Sequence, residues 1–185
     1  MDIKILGIDL STTVMGYCIL DEKGEIELLN YYSFKSKEML EKADELKTVL
    51  NFIFSKYEIS DFFIEERLQG FRAGGTNADA MFKTAALNFY CQVLIKERNI
   101  PITALNVIKA RNLVFPGFFK FARTVKGTKH KEIIFKFVKE KLGETIFPTK
   151  VMKSGKNKGK TEFLEEAKDM SDSWVIASAG LKIKN

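Results

Sequence analysis

The chain has 185 residues and a mass of 21.1 kDa, with 45% hydrophobic and 29% charged residues and only three Pro and twelve Gly, which excludes disordered, collagen-like and linker-rich architectures. No apolar run approaches the ~20 residues needed to span a bilayer, so no membrane partner is expected. The net charge of +6 is unevenly placed: Lys120 to Lys160 hold thirteen basic and three acidic residues, against seventeen and twenty-one in the rest, which points to a polyanion partner, most simply nucleic acid.

In chain order, Ile3 to Leu10 is an apolar, Ile-rich run that reads as a buried strand. Ser11-Thr12-Thr13 turns into a second strand, Val14 to Leu20. Asp21-Glu22-Lys23-Gly24 makes a hairpin turn into a third, Glu25 to Phe34. Lys37 to Lys56 places Leu40, Ala43, Leu46, Leu50 and Phe54 three and four apart, the spacing of an amphipathic helix. Phe62-Phe63-Ile64 is a short strand ending at Glu65-Glu66, and Leu68 to Asn77, with three glycines, reads as a loop.

Asn77 is placed to cap a helix from Ala78 to Glu97. That helix is apolar on nearly every side, so it is expected to be covered on two faces. Pro101 opens a fifth strand, Ile102 to Leu105. Lys129 to Leu142 is a basic helix, Glu144 to Lys160 a mobile, lysine-rich connection, and Glu162 to Leu181 the last helix. Hairpin-linked strands followed by strands that return through helices predict an α/β fold, a mixed sheet flanked by helices, in one domain over residues 1–185. The N-terminus lacks the pattern of a signal peptide. Two cysteines, Cys18 and Cys91, supply no disulfide framework and read as buried hydrophobes, so a cytoplasmic location is expected.

Carboxylates at strand ends carry the chemical signal. Asp9 closes the first strand; it either caps the Ser11-Thr12 turn or serves a site, because a carboxylate in a central strand is costly unless neutralised. Glu65 and Glu66 end another strand, and alternation sends them to opposite faces. Asp169 and Asp172 lie three apart on the last helix and share a face. On the helical wheel they lie opposite the stripe Phe163, Ala167, Met170, Trp174, Ala177 and Leu181. The small and apolar run Ser173 to Ala179 nevertheless predicts a helix half packed all round. Four acids from two strands and a helix form an all-oxygen set suited to Mg²⁺ or Mn²⁺. Two such ions hold the attacking and leaving oxygens of a phosphodiester.

Ile5-Leu6-Gly7-Ile8-Asp9-Leu10-Ser11-Thr12-Thr13-Val14-Met15-Gly16-Tyr17 resembles the opening motif of the RuvC-type Holliday junction resolvases. Phe63-Ile64-Glu65-Glu66 resembles their second motif, and Asp169-Met170-Ser171-Asp172-Ser173 their last, in the family order and across most of the chain. The resemblance implies an RNase H-like fold, a homodimer, and divalent-metal cleavage of four-way DNA junctions, and the two-ion chemistry above gives two Mg²⁺ or Mn²⁺ ions per site as the expectation. The resemblance also implies Asp9, Glu65, Asp169 and Asp172 as metal-binding acids, with Glu66 a bystander. Lys131 matches a lysine near the active site that contacts DNA backbone, and Lys109 a second. Phe71 falls in the loop where the family carries a junction-stacking aromatic. With the basic residues around these positions, the expected DNA-binding set is Phe71, Arg72, Lys109, Lys120, Arg123, Lys126, Lys129 and Lys131.

The chain departs from the family pattern in two places. Leu68 to Asn77 is longer and richer in Gly, and Glu144 to Lys160 is longer and more basic. Compact, divergent members of this kind are common in phage genomes, which makes a phage source, and a bacterial or phage-infected host cytoplasm, an expectation.

Two other readings exist. Gly7 to Thr13 also resembles the first phosphate motif of sugar kinases and actin-like ATPases, which need a second domain and a second glycine-rich loop that 185 residues do not accommodate. An RNase H-like nuclease acting on RNA–DNA hybrid is the other. Phe115, Phe118, Phe119 and Phe121 interleave with Lys120, Arg123 and Lys126, where aromatics either stack on bases or, more commonly, fill a core. His130 reads as a solvated residue at a helix start, and Trp174 as core.

Overall fold

The computed structural model describes residues 4–66, 78–118, 120–121 and 130–185. Three strands open the chain as a meander: β1 (Ile5–Leu10), β2 (Val14–Leu20) and β3 (Ile26–Ser33). They are followed by α1 (Met39–Lys56), β4 (Asp61–Glu65), α2 (Ala78–Lys96) and β5 (Ile102–Leu105). The chain ends in α3 (Val107–Val114), α4 (His130–Leu142), a two-stranded hairpin of β6 (Thr149–Val151) and β7 (Thr161–Phe163), and α5 (Glu166–Lys184). The first five strands form one sheet in the order β3-β2-β1-β4-β5. β1 runs antiparallel to β2 and parallel to β4, and β4 parallel to β5. The sheet is therefore mixed and flanked by helices on both faces, as expected. Among the described residues no helix is long and apolar enough to cross a membrane.

Strand alternation divides the core in two. Leu6, Ile8, Phe62 and Ile64 point to one face, where α1 contributes Leu46, Leu50 and Ile53 and α2 contributes Leu87, Cys91, Leu94 and Ile95. Ile5, Cys18, Leu20 and Phe63 point to the other, where α5 packs through Ala167, Met170, Trp174 and Ile176, backed by Ile133, Ile134 and Val138 of α4. Asp9 and Glu65 follow their strands' odd-numbered residues, so both belong to the α5 face. Glu66 falls on the opposite side and is exposed.

α5 lies unusually close to the sheet because two glycines make room. A Cβ on Gly7 would sit 2.5 Å from the backbone nitrogen of Ala177, and one on Gly16 would overlap the Asp169 carbonyl. With no side chain at either position, the helix backbone rests directly on β1 and β2.

Two readings from the sequence need correction, and one helix adds to them. The last helix begins at Glu166 rather than Glu162, because Thr161–Phe163 is the strand β7. The connection from Glu144 to Lys160 is structured: a single 3-10 turn, Glu144–Ile146, precedes β6, and β6 pairs antiparallel with β7. Two three-residue strands are too short to show a period, so composition outweighed pattern there. α3 had no counterpart in the sequence reading; Asn106 caps it, its side-chain oxygen accepting from the N–H groups of Ile108 and Lys109. The loop from Leu68 to Asn77, with its Asn77 cap, lies outside the described residues.

Candidate active site

Pairing of Ile8 with Ile64 brings Asp9 and Glu65, the next residue of each parallel strand, to neighbouring positions at the C-terminal ends of β1 and β4. Asp9 pairs with Gly16 on its other side, the glycine against which the Asp169 backbone rests. The first two turns of α5 thus lie over this edge, and Asp169 and Asp172, one turn apart, face the strand carboxylates. Asp172 is only 2% exposed and Asp9 8%. The wheel position opposite the apolar stripe does not expose Asp172, since residues 170–177 are buried all round.

Two cations serve these four acids. The ammonium of Lys131, in the first turn of α4, lies 3.1 Å from Asp9 Oδ2, 2.5 Å from Asp169 Oδ1 and 3.6 Å from Asp172 Oδ2. The guanidinium of Arg111 donates from Nε and Nη2 to Asp172 Oδ1, at 3.2 and 2.8 Å. Both of its bonds go to one oxygen, so Asp172 meets Arg111 with Oδ1 and Lys131 with Oδ2. Among the described residues, no three acidic, histidine or cysteine side chains are arrayed around a common metal position. Three of the carboxylates converge instead on the Lys131 ammonium.

The charge count leaves four carboxylates against two cations, and protonation responds to the excess. Burial, and then the charges of Asp9 and Asp172, push Glu65 up to about 8 despite Arg111 and Lys131. Burial pushes Asp172 up to about 6 against the pull of Arg111. For Lys131 burial opposes the charged form, but Asp9, Asp172 and Asp169 outweigh it and raise its pKa. A buried cluster of four carboxylates served by two cations fits a divalent cation: its donors are all hard oxygens, and three of the four acids already gather around a positive charge.

Of the other sequence-predicted positions, Lys109 is exposed on α3, two residues before Arg111, and Lys120 is exposed beyond it. Neither joins the acid cluster among the described contacts. Phe71, Arg72, Arg123, Lys126 and Lys129 lie outside the described residues. Phe118 is buried and Phe115 stacks on Phe137, so these two are core; Phe121 stays 46% exposed against the same ring. His130 is exposed beside Phe118, Trp174 is core, and both cysteines are buried thiols. Arg111 was missed by the sequence reading. The Asn106 cap was the available signal for its helix, but nothing in the sequence singles out this Arg as the partner of an acid 61 residues later.

No protein-family model and no curated protein matches the sequence. Solved structures do match. RuvC of T. thermophilus in complex with a Holliday junction substrate aligns over 98% of this chain and 95% of its own, at 13% identity and a TM-score of 0.64. A second Thermus thermophilus RuvC structure aligns at 15% identity and a TM-score of 0.63, over 98% and 96%. The yeast mitochondrial Holliday junction resolvase Ydc2 aligns at 16% identity and 0.56, over 96% of this chain and 77% of its own. With agreement across nearly the whole chain and identities this low, what is shared is the architecture: the chain has the RNase H-like fold of the RuvC structures.

Proposed function

We propose that the protein is a divalent-metal-dependent endonuclease that cleaves four-way DNA junctions by paired nicks, acting as a homodimer. The observation that carries this reading is the gathering of Asp9, Asp169 and Asp172 around Lys131, with Glu65 beside Asp9 on the neighbouring strand, within the RuvC-like fold. Those four residues would hold Mg²⁺ or Mn²⁺, two ions per site in this reading. Ions so held supply activation of the attacking water and charge stabilisation at the leaving oxygen of a phosphodiester.

The chain's own residues supply the rest. Arg111 pins Asp172 through Oδ1 and leaves Oδ2 directed into the cluster. The Lys131 side chain is 38% exposed, so its ammonium links the buried acids to the surface. A fixed cation at that place would meet a phosphate bound over the cluster and stabilise charge developing on it. Lys109, Lys120 and Lys131, with Phe71, Arg72, Arg123, Lys126 and Lys129, would contribute the remaining DNA contacts. Phosphate contacts of this kind position a duplex without reading its sequence.

The test is a substrate panel: labelled four-way junction, linear duplex of the same sequence, and RNA–DNA hybrid, each with and without Mg²⁺ or Mn²⁺. Cleavage of the junction alone, dependent on the metal, is the expected result. Preferential cleavage of the hybrid would move the protein to the RNase H activity class, and no cleavage of any substrate would remove the nuclease reading.

A further inference from the structure

The hairpin between α4 and α5 is a built element whose chemistry the active site does not use. Its residues Pro148 to Phe163 contain Lys150, Lys153, Lys156, Lys158 and Lys160 and one acid, Glu162. All five lysines are exposed. Among the described residues no carboxylate lies within ion-pair distance of any of them, whereas Lys139 and Lys168 nearby are both paired. Glu162 accepts from Asn157 Nδ2 at 2.6 Å instead. Five like charges held together without counter-charges are destabilising by themselves, so an external polyanion is the natural complement.

The hairpin is anchored. Phe163 of β7 meets Phe135 of α4 at 5.2 Å between ring centroids, and Phe147, just before β6, meets the same ring at 5.2 Å. Lys139 lies over the Phe163 ring, and Leu164 N–H donates to the Pro148 carbonyl, closing the base. Beyond the ladder, Met152 and Lys160 remain bonded, and the tip turns through Gly155 and Gly159, both at positive φ.

The anchor ties the hairpin to the acid cluster. Phe135 is one helical turn after Lys131 on α4, a rise of about 6 Å. β7 runs into α5, which carries Asp169 and Asp172. The arms of the hairpin stay paired out to Met152 and Lys160 and the chain turns back beyond them, so at about 3.3 Å per residue the stretch from Phe163 to Lys160 carries the hairpin about 10 Å from the anchor, the length of roughly three base pairs of duplex.

We infer that this hairpin is a rigid clamp for the phosphate backbone of a duplex arm, gripping it several base pairs away from the phosphate held over the acid cluster. The inference rests on the junction-nuclease reading and adds a partner surface to it. A clamp fixed at its base registers one arm relative to the cluster, so its contribution depends on arm length. A solvated loop would make none, and a loosely tethered tail would contribute on arms of any length.

The experiment compares wild type with a variant carrying Lys153→Ala, Lys156→Ala, Lys158→Ala and Lys160→Ala. A control removes Lys35, Lys37, Lys47 and Lys56, which lie before and along α1. Affinity for four-way junctions is measured in Ca²⁺, across salt concentrations and with arms cut back in steps. The hairpin variant should lose on the order of a hundredfold in affinity near 0.1 M salt and about 3.6 in the log–log salt slope, while the control changes little. Wild-type affinity should drop once the arms fall below the hairpin's reach, and the hairpin variant should be insensitive to that shortening. Unchanged affinity and salt slope in the variant, with wild type still binding and cutting junctions, overturns the clamp alone. Lost affinity without an arm-length threshold overturns the rigid grip in favour of a loose tether. A wild-type protein that binds no junction overturns the functional reading and the clamp together.

Discussion

Arg111 and Asp172 form a buried pair, and such pairs cost most when only one partner is removed. Arg111→Ala leaves the buried Asp172 without its hydrogen-bonded partner and with only the more distant Lys131 ammonium, already shared with Asp9 and Asp169, as counter-charge. Thermal or urea unfolding should show a loss of about 3–5 kcal/mol, and Asp172→Asn in the same chain should recover a large part of it. Equal losses in the single and double variants would mean that Arg111 acts through packing alone. The excess of carboxylates over cations makes a second prediction, on pH. Glu65 and Asp172 have native pKa values above their ordinary ones, so ionising them in the fold costs more than in the unfolded chain. Their contribution to stability therefore falls as pH rises, from 4.5 to about 8 for Glu65 and from 3.8 to about 6 for Asp172. A divalent cation bound there reverses this. Millimolar Mg²⁺ or Mn²⁺ should raise the Tm more at pH 8 than at pH 5, and Glu65→Gln should reduce the difference. An equal Tm shift at both pH values would separate metal binding from these carboxylates.

The contact between α5 and the sheet decides whether four acids make one cluster. Gly16→Ala drives a methyl into the Asp169 carbonyl and forces the first turn of α5 outward. The expected cost is about 1–3 kcal/mol or more, with loss of cleavage even where the variant remains folded by circular dichroism. Wild-type activity in that variant would show that the helix need not sit so close. Much of this arrangement was legible in sequence. The apolar runs, alternation at Glu65-Glu66, and the three-residue spacing of Asp169 and Asp172 each report a local period. The adjacency of β1 and β4 was not legible, because register across 56 residues is settled by packing. Neither was the α3 helix that brings Arg111 to Asp172, a contact that exists only in three dimensions. The hairpin was hidden by its composition: lysines and glycines read as solvated connection until Phe135, Phe147 and Phe163 come together.

At the scale of the molecule, α1 and α2 cover one sheet face and leave apolar surface beyond it. Phe82 and Phe89 on α2 are 68% and 62% exposed, and Leu40 at the start of α1 is 83% exposed. Between them runs a groove of about 480 Å³ lined by Met39, Leu40, Ala43, Leu87 and Tyr90. An all-round apolar helix buried on one side only fits pairing with a second copy across a two-fold axis, which would present two acid clusters to the two strands of a symmetric junction. Phe89→Arg should convert the dimer expected in sedimentation into monomer and reduce paired nicks to single ones. A wild-type chain that sediments as a monomer and still cuts in pairs would contradict this. The central claim is that the four acids act together on a junction phosphate, and one measurement addresses it directly. Cleavage and binding of a labelled four-way junction in Mg²⁺ are compared for wild type, Asp9→Asn, Glu65→Gln, Asp169→Asn, Asp172→Asn and Glu66→Gln. Wild type and Glu66→Gln should cut, while the four site variants bind as tightly or more tightly and do not cut. Full cleavage by any two of the four, or loss of cleavage in Glu66→Gln with Glu65→Gln active, would contradict the account.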